Sequence, residues 1–140
     1  MPNPNRLRTD YNTTKVSALP AAASTTVNGA SIDLGTTDPC AGPEHFEVKI
    51  SVPALNTTIL PDTRTLTVTL QDSADNSTFA AIVGLSTFVI TGAGGVGVAT
   101  TSTRYVRLPS VTARYIRASY VTGASTTDAS AVSGTLALLY

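Results

Sequence analysis

The 140-residue chain has no tryptophan, one cysteine and one histidine. Because Cys40 has no second cysteine, an internal disulfide is excluded, and assembly inside a cell is favoured over an oxidising compartment. Cys40 and His45 are also the only thiol and imidazole groups in the chain. Zinc sites in proteins usually use several such ligands, so we predict no metal.

Long apolar runs are missing as well. The longest runs, such as 80–85, are far shorter than the roughly 20 residues that cross a bilayer. The first residues also lack the apolar segment of a secretory signal peptide. The sequence therefore favours neither membrane insertion nor secretion by that route, and no membrane partner is expected.

Charge is scarce, at 13% of residues, and unevenly distributed along the chain. Residues 1–30 hold three cations and one acid, residues 31–80 two cations and seven acids, and residues 81–140 four cations and one acid. The balances are +2, −5 and +3. Opposite patches favour self-association or docking to a charged protein over nucleic-acid binding, which needs a basic surplus. The alternative is that these charges simply solvate a sheet surface.

The N-terminal residues follow neither a strand nor a helix period. Prolines in this segment disfavour a helix and cannot donate hydrogen bonds in a sheet. We therefore predict an extended arm over residues 1–24, ahead of a domain at 25–140. Such an arm either reaches a neighbouring subunit or is a disordered terminus. Its candidate contact residues are Arg6, Arg8, Tyr11 and Lys15.

Threonine and serine are abundant, with 24 and 13 residues, and apolar residues alternate strictly with polar ones. Leu66, Val68 and Leu70, for example, alternate with threonines. A period of two with many β-branched residues is typical of half-buried strands. The predicted strands lie near 26–34, 44–52, 64–70, 79–83, 87–91, 96–100, 104–108, 114–121 and 133–139. This pattern predicts an all-β fold, an antiparallel β-sandwich or jelly roll.

A local repeat places similar residues on two consecutive predicted strands. Arg-Tyr-Val-Arg at 104–107 is followed ten residues later by Arg-Tyr-Ile-Arg. Alternation directs Val106, Leu108, Ile116, Ala118 and Tyr120 inward. It directs Tyr105, Arg107, Tyr115 and Arg117 outward. Exposed tyrosine and arginine are enriched at protein interfaces, although arginine stems also cover apolar surface without binding anything.

Residues 92–97 match the G-x-G-x-x-G pattern of dinucleotide-binding loops. That pattern requires a helix to begin at the loop, but residues 98–103 (VATTST) favour a strand. We therefore predict a glycine-rich turn and no bound cofactor.

Carboxylates do not assemble a recognisable active site in the sequence. Glu44 and Glu47 flank His45, but no second histidine or cysteine completes a metal or nucleophile constellation. Asp72, Asp75 and Asn76 do not have the spacing of a calcium-binding loop and favour an Asx-rich hairpin turn instead. We predict that the protein is not an enzyme and has no catalytic residue.

Four segments together carry a resemblance to a known family: 31–35 (SIDLG), 66–77 (LTVTLQDSADNS), 104–109 (RYVRLP) and 113–120 (ARYIRASY). From about Ser31 to Tyr140 the chain resembles the jelly-roll capsid cement (decoration) proteins of tailed bacteriophages. The resemblance implies a structural virion protein, assembled in the host cytoplasm, that binds the outside of an icosahedral head. Its expected partners are the major capsid protein and itself, as a homodimer or a trimer. The family offers no catalytic residues to carry over.

One alternative stays open. The segment from Leu66 to Phe79, followed by Arg-Tyr-x-Arg, also resembles discoidin-like sandwiches. A carbohydrate- or receptor-binding module of a phage tail fibre or adhesin would use tyrosines as stacking platforms, with Tyr105, Tyr115 and Tyr120 as candidates.

Overall fold

A computed structural model describes residues 13–35 and 45–139. These residues form ten strands and no α-helix. The strands are β1 (Thr14–Ala18), β2 (Thr26–Asn28), β3 (Ile32–Asp33), β4 (Glu47–Val52), β5 (Thr65–Ser73), β6 (Ala80–Ala81), β7 (Phe88–Thr91), β8 (Ser102–Arg107), β9 (Tyr115–Thr122) and β10 (Ser133–Leu139). Within the described ranges, no helix is long and apolar enough to cross a membrane.

The strands form two antiparallel sheets. Sheet A has the order β1-β10-β4-β8. In sheet B, β9 is flanked by β5 on one side and by β2 and β3 on the other, and β5 also pairs with β6 and β7. The predicted all-β fold and antiparallel β-sandwich are therefore confirmed.

The core lies between the sheets and follows the predicted alternation. Val48, Ile50 and Val52 of β4 are buried, as are the alternate apolar residues of β5. The residues predicted to face inward around the Arg-Tyr repeat also do so: Leu108, Ile116, Ala118 and Tyr120 are buried and Val106 is partly buried. Burying each large apolar side chain contributes about 1.5–3 kcal/mol to folding.

One correction concerns the predicted arm. Residues 14–18 form β1, the edge strand of sheet A, in register with β10. Leu19 follows, with its side chain buried in the core and its amide donating to the Val132 carbonyl at 2.9 Å. The prediction of an arm as far as residue 24 is therefore wrong over this stretch, because five residues pair with a neighbour far away in sequence. Residues 1–12 lie outside the described residues.

A second correction concerns residues 96–100, which were expected to form a strand. The amide of Gly97 donates to the Ala93 carbonyl at 3.0 Å, and the Ala93 amide donates back to Gly97 at 2.8 Å. Val98 then makes a single bridge with Leu55. The chain thus turns tightly, and beyond the turn it makes one isolated bridge instead of a ladder. The predicted glycine-rich turn is confirmed, and the predicted strand after it is wrong.

The predicted strand 26–34 is also interrupted. It divides into β2 and β3, which pair with different parts of β9. Between them the Gly29 amide donates to the Ala118 carbonyl at 2.8 Å, which keeps the chain beside β9.

Candidate functional site

The structure distributes the predicted contact residues over two separate sheets. Tyr105 and Arg107 lie on β8 in sheet A, whereas Tyr115 and Arg117 lie on β9 in sheet B. The two halves of the Arg-Tyr repeat therefore do not share a surface. Lys15 lies on β1, and its register partner is the buried Leu136. Arg6, Arg8 and Tyr11 lie outside the described residues.

Beside sheet B, Arg114 lies immediately before β9 and is held by Asp33 of β3. Its Nε and Nη2 atoms donate to the two carboxylate oxygens of Asp33, each at 2.8 Å. Its guanidinium also lies 5.1 Å from the centre of the Tyr115 ring. The paired guanidinium, with the Gly35 amide, lowers the pKa of Asp33 to about 2. This cation is therefore already neutralised.

Arg117 of sheet B is engaged within the sheet too. Its Nε donates to Oε1 of Gln71 at 2.8 Å, and its guanidinium lies 4.0 Å from the centre of the Phe79 ring. Partial burial lowers its pKa from the usual value. Arg117 thus covers apolar surface of its own sheet.

The outward face of sheet A has a different character. Tyr105 is 56% exposed and stands beside Lys49, whose Nζ lies 5.9 Å from the centre of the tyrosine ring. Farther along the same strands, Ser51 Oγ and Thr103 Oγ1 are 3.4 Å apart. This face therefore combines an exposed aromatic ring, an ammonium group and hydroxyls.

A shallow depression of about 250 Å³ lies on this face, across β1, β10 and β4. Its lining residues are Thr14, Lys49, Ser51, Thr135 and Ala137. At the β1 edge of the same face, Val16 is 65% exposed. A protruding side chain of a partner can enter the depression.

The charges of the two sheets differ. The strands of sheet A carry four cations and one acid, a balance of +3: Lys15, Lys49, Arg104, Arg107 and Glu47. The strands of sheet B carry two acids and one cation, a balance of −1: Asp33, Asp72 and Arg117. Arg107 and Glu47 are register partners, yet the pair Arg114–Asp33 is the only ion pair in the part of the chain that the structure describes. Among the described residues, the cations of sheet A therefore form no ion pair with a carboxylate.

Both edge strands of sheet A carry a cation at an inward position. Arg104 of β8 is paired in register with the buried Ile50. Its guanidinium reaches towards sheet B, donating to the Thr87 carbonyl at 2.9 Å and to Ser86 Oγ at 2.7 Å. Lys15 occupies the equivalent inward phase on β1. Inward-pointing charges on edge strands oppose the addition of another strand, so a partner is expected on the face and not on the edge.

Among residues 13–35 and 45–139, no three histidine, cysteine, aspartate or glutamate side chains come together in a group that could hold a metal ion. The predicted Asx-rich turn is confirmed. One oxygen of Asp75 accepts from the amides of Ser77 and Thr78, each at 2.9 Å, and from Ser73 Oγ at 2.7 Å. These hydrogen bonds lower the pKa of Asp75 to about 2.

No protein-family model matches this sequence, and no curated protein is significantly similar to it. Function is therefore inferred from the fold and the surfaces of the chain itself.

Sequence reasoning found Tyr105 and Arg107 but did not select the residues around them. Alternation along β4 already placed Lys49 on the solvent side, and this was the available signal. The positions of Thr135 and Ala137 beside Lys49 and Ser51 depend on the pairing of β10 with β4. Strand order between distant segments is not encoded in local periodicity.

Proposed function

We propose that this chain is a capsid cement (decoration) protein that binds the outer surface of an icosahedral phage head and stabilises contacts between capsomers. Its partners are the major capsid protein and further copies of itself, as a dimer or a trimer. The observation that carries the proposal is the outward face of sheet A, where Tyr105 is exposed beside Lys49, which has no carboxylate partner among the described residues. This surface suits adhesion to another protein.

The strand order supports the jelly-roll part of the proposal. When β2 with β3, and β6 with β7, are counted as single interrupted strands, the eight resulting strands form two four-stranded sheets. The first and last strands, β1 and β10, are neighbours in one sheet. Double-sheet jelly rolls of eight strands are common in viral capsid proteins.

A cement protein must resist separation of its neighbours, and it needs no chemistry to do so. A standard interface buries about 800 Å² per partner. Repeated copies around a closed shell add modest contacts through avidity. The sandwich supplies a rigid body for this task, because both sheets share a continuous apolar core.

The test is to mix the purified protein with expanded capsid shells that lack it. We expect saturable binding and a higher melting temperature of the shells. Tyr105→Ala should weaken binding about tenfold, equivalent to about 1.4 kcal/mol. Val111→Ala is the matched control, because Val111 is 71% exposed but lies outside sheet A. Absence of shell binding by the wild-type chain contradicts the proposal.

A carbohydrate- or receptor-binding module is the second candidate. It is favoured by the depression on sheet A, where the hydroxyls of Ser51 and Thr135 line the wall together with Lys49. The Nζ atom of Lys49 lies 5.9 Å from the centre of the exposed Tyr105 ring on the next strand. Sugar sites commonly pair polar groups with an aromatic wall. Binding on a glycan array, with no binding to shells, selects this function over the cement function.

A further inference from the structure

We propose that the outward face of sheet A is the docking face, and that it receives an acidic protein surface whose carboxylates contact Lys49 and Arg107. This inference rests on the proposed function, because it names the chemistry that the capsid must present at the binding site.

The cations of the two sheets differ in their availability to a partner. Arg114, just before β9, is paired with Asp33, and Arg117 of sheet B is bound to Gln71 and Phe79. On the outward face of sheet A, the Lys49 ammonium lies 5.9 Å from the centre of the Tyr105 ring and makes no ion pair or hydrogen bond with the described residues. Arg107 is exposed, and although Glu47 is its register partner, the two form no ion pair. A cation without an internal partner can form charge-assisted hydrogen bonds with an incoming carboxylate. Sheet A therefore offers the cations that a partner can use.

The surroundings of Lys49 suit an incoming carboxylate. Its side chain lines the depression together with the hydroxyl-bearing Ser51 and Thr135, so a carboxylate entering there meets an ammonium and two further donors. Arg107 lies one strand across and two residues along, roughly 8 Å away at the backbone by strand geometry. Two acidic side chains on one partner surface can reach both cations at once. Tyr105, beside Lys49, then supplies apolar contact between them.

The outward face of sheet A is accessible, whereas the edges of the sheets are protected against strand addition. Arg104 and Lys15 oppose strand addition at the two edges of sheet A, as described above. In sheet B the outer strands are two to four residues long, and short edge strands are a further protection. A partner that cannot extend a sheet must bind a face.

The size of the face predicts a weak individual contact. Three inter-strand spacings of about 4.8 Å by six residues of about 3.3 Å give on the order of 300 Å² in projection. This is well below the roughly 800 Å² per partner of a standard interface. Charge complementarity at such a contact mainly accelerates association and selects the partner. Binding should therefore weaken steeply as salt is added.

The first experiment compares two charge reversals in the shell-binding assay. Lys49→Glu and Arg64→Glu change the net charge equally, but Arg64 lies just before β5 and outside sheet A. We expect Lys49→Glu to weaken shell binding tenfold or more, and Arg64→Glu to change it less than twofold. Lys49→Gln, which removes the charge without reversing it, should give an intermediate loss. Equal effects of the two reversals, or a larger effect of Arg64→Glu, would overturn the inference.

The second experiment does not depend on shells. Backbone amide shifts of the wild-type chain are followed by NMR while poly-L-glutamate is added at low salt. Changes centred on Lys49, Ser51, Tyr105 and Thr135 support the docking face. Changes centred on sheet B, or no binding at all, overturn it. Tighter binding of duplex DNA at the same residues also overturns it, because the partner would then be a nucleic acid.

The two assays separate the two possible failures. If the wild-type chain does not bind shells but poly-L-glutamate shifts the amide signals of sheet A, the cement function fails. The proposal that sheet A docks an acidic surface then stands. If shells bind and Lys49→Glu has no effect, the cement function stands and the docking face fails.

Discussion

The ring of Tyr120 lies directly against the backbone of Gly134, across the core of the sandwich. Tyr120 belongs to β9 of sheet B and Gly134 to β10 of sheet A. A Cβ atom at Gly134 would stand 2.5 Å from Cε1 and 2.7 Å from Cζ of the ring. Tyr120 is 1% exposed, and this burial raises its pKa to about 12. The two sheets therefore meet here at a spacing that only glycine permits.

We predict that Gly134→Ala destabilises the domain by about 1–3 kcal/mol, as overpacking of a filled core does. Urea unfolding followed by circular dichroism measures the loss. In a Tyr120→Leu background, Gly134→Ala should lower the free energy of unfolding much less, because the ring that the added methyl group would contact is absent. Additive effects of the two substitutions would contradict this packing relationship.

Gly92 and Gly95 lie in the same turn, but glycine is required at the two positions for different reasons. A Cβ at Gly92 would overlap the carbonyl oxygens of Leu60 and Pro61, whereas a Cβ at Gly95 meets nothing within 4 Å. Gly95 has a positive φ of 84°, so Gly95→Ala should cost only the left-handed penalty of about 1–2 kcal/mol. Gly92→Ala should cost more. Thermal unfolding of both variants tests the order, and a milder effect at Gly92 would refute it.

Arg104 should oppose the addition of another strand at the β8 edge, and it also links the two sheets through its hydrogen bonds. Arg104→Val removes its hydrogen bonds to Ser86 and Thr87, at a cost of about 1 kcal/mol, and removes the inward charge. We expect this variant to self-associate at high concentration, as measured by light scattering. Thr103→Val, on the outward side of the same strand, is the control and should not. If Arg104→Val stayed monomeric at high concentration, Arg104 would not be what prevents association at the β8 edge.

The loss of folding stability at acid pH should depend on Asp33 and Asp75. In each, the folded pKa of about 2 lies below the usual 3.8. Such a group stabilises the folded state above the unfolded pKa, and this contribution is lost as the pH falls from about 4 towards 2. Melting temperatures measured across pH 2–6 should therefore fall in that window for the wild-type chain.

In Asp33→Asn the decline should be shallower, because asparagine has no proton to bind in that range. Asp62→Asn is the control, since none of the described residues donates a hydrogen bond to the Asp62 carboxylate. If the melting temperature of Asp33→Asn fell with pH as steeply as that of the wild-type chain, the Asp33–Arg114 pair would contribute nothing to the loss of stability at acid pH.

Local periodicity was sufficient to predict most of the strands and the inward side of each. Val48, Ile50, Leu66 and Val68 are buried as alternation predicts, because half-buried strands enforce a period of two. It failed for β1, whose five residues TKVSA carry only one large apolar residue, and that residue, Val16, faces outward. It also failed after Gly97, where a β-branched run follows a closed turn and finds a single bridge.

Only part of the candidate site could be predicted from the sequence. Tyr105 and Arg107 are marked by their outward phase, but the similar Tyr115 and Arg117 lie on the other sheet. The connection of residues 108–114 carries the chain from one sheet to the other. Two strands that follow each other need not be neighbours, and ten residues of similar sequence do not reveal the crossing. Likewise, the unequal charge of the two sheets arises only when distant strands are brought together.

The pairing of β1 with β10 has a mechanical consequence. Thr14 stands opposite Ala137, so the outer ends of the first and last strands lie at the same end of the sandwich. Tension applied through these two ends would peel the ladder apart one hydrogen bond at a time instead of shearing all its bonds together. Such a body is weak when it is pulled by its chain ends and much stronger when force is spread over its broad sides.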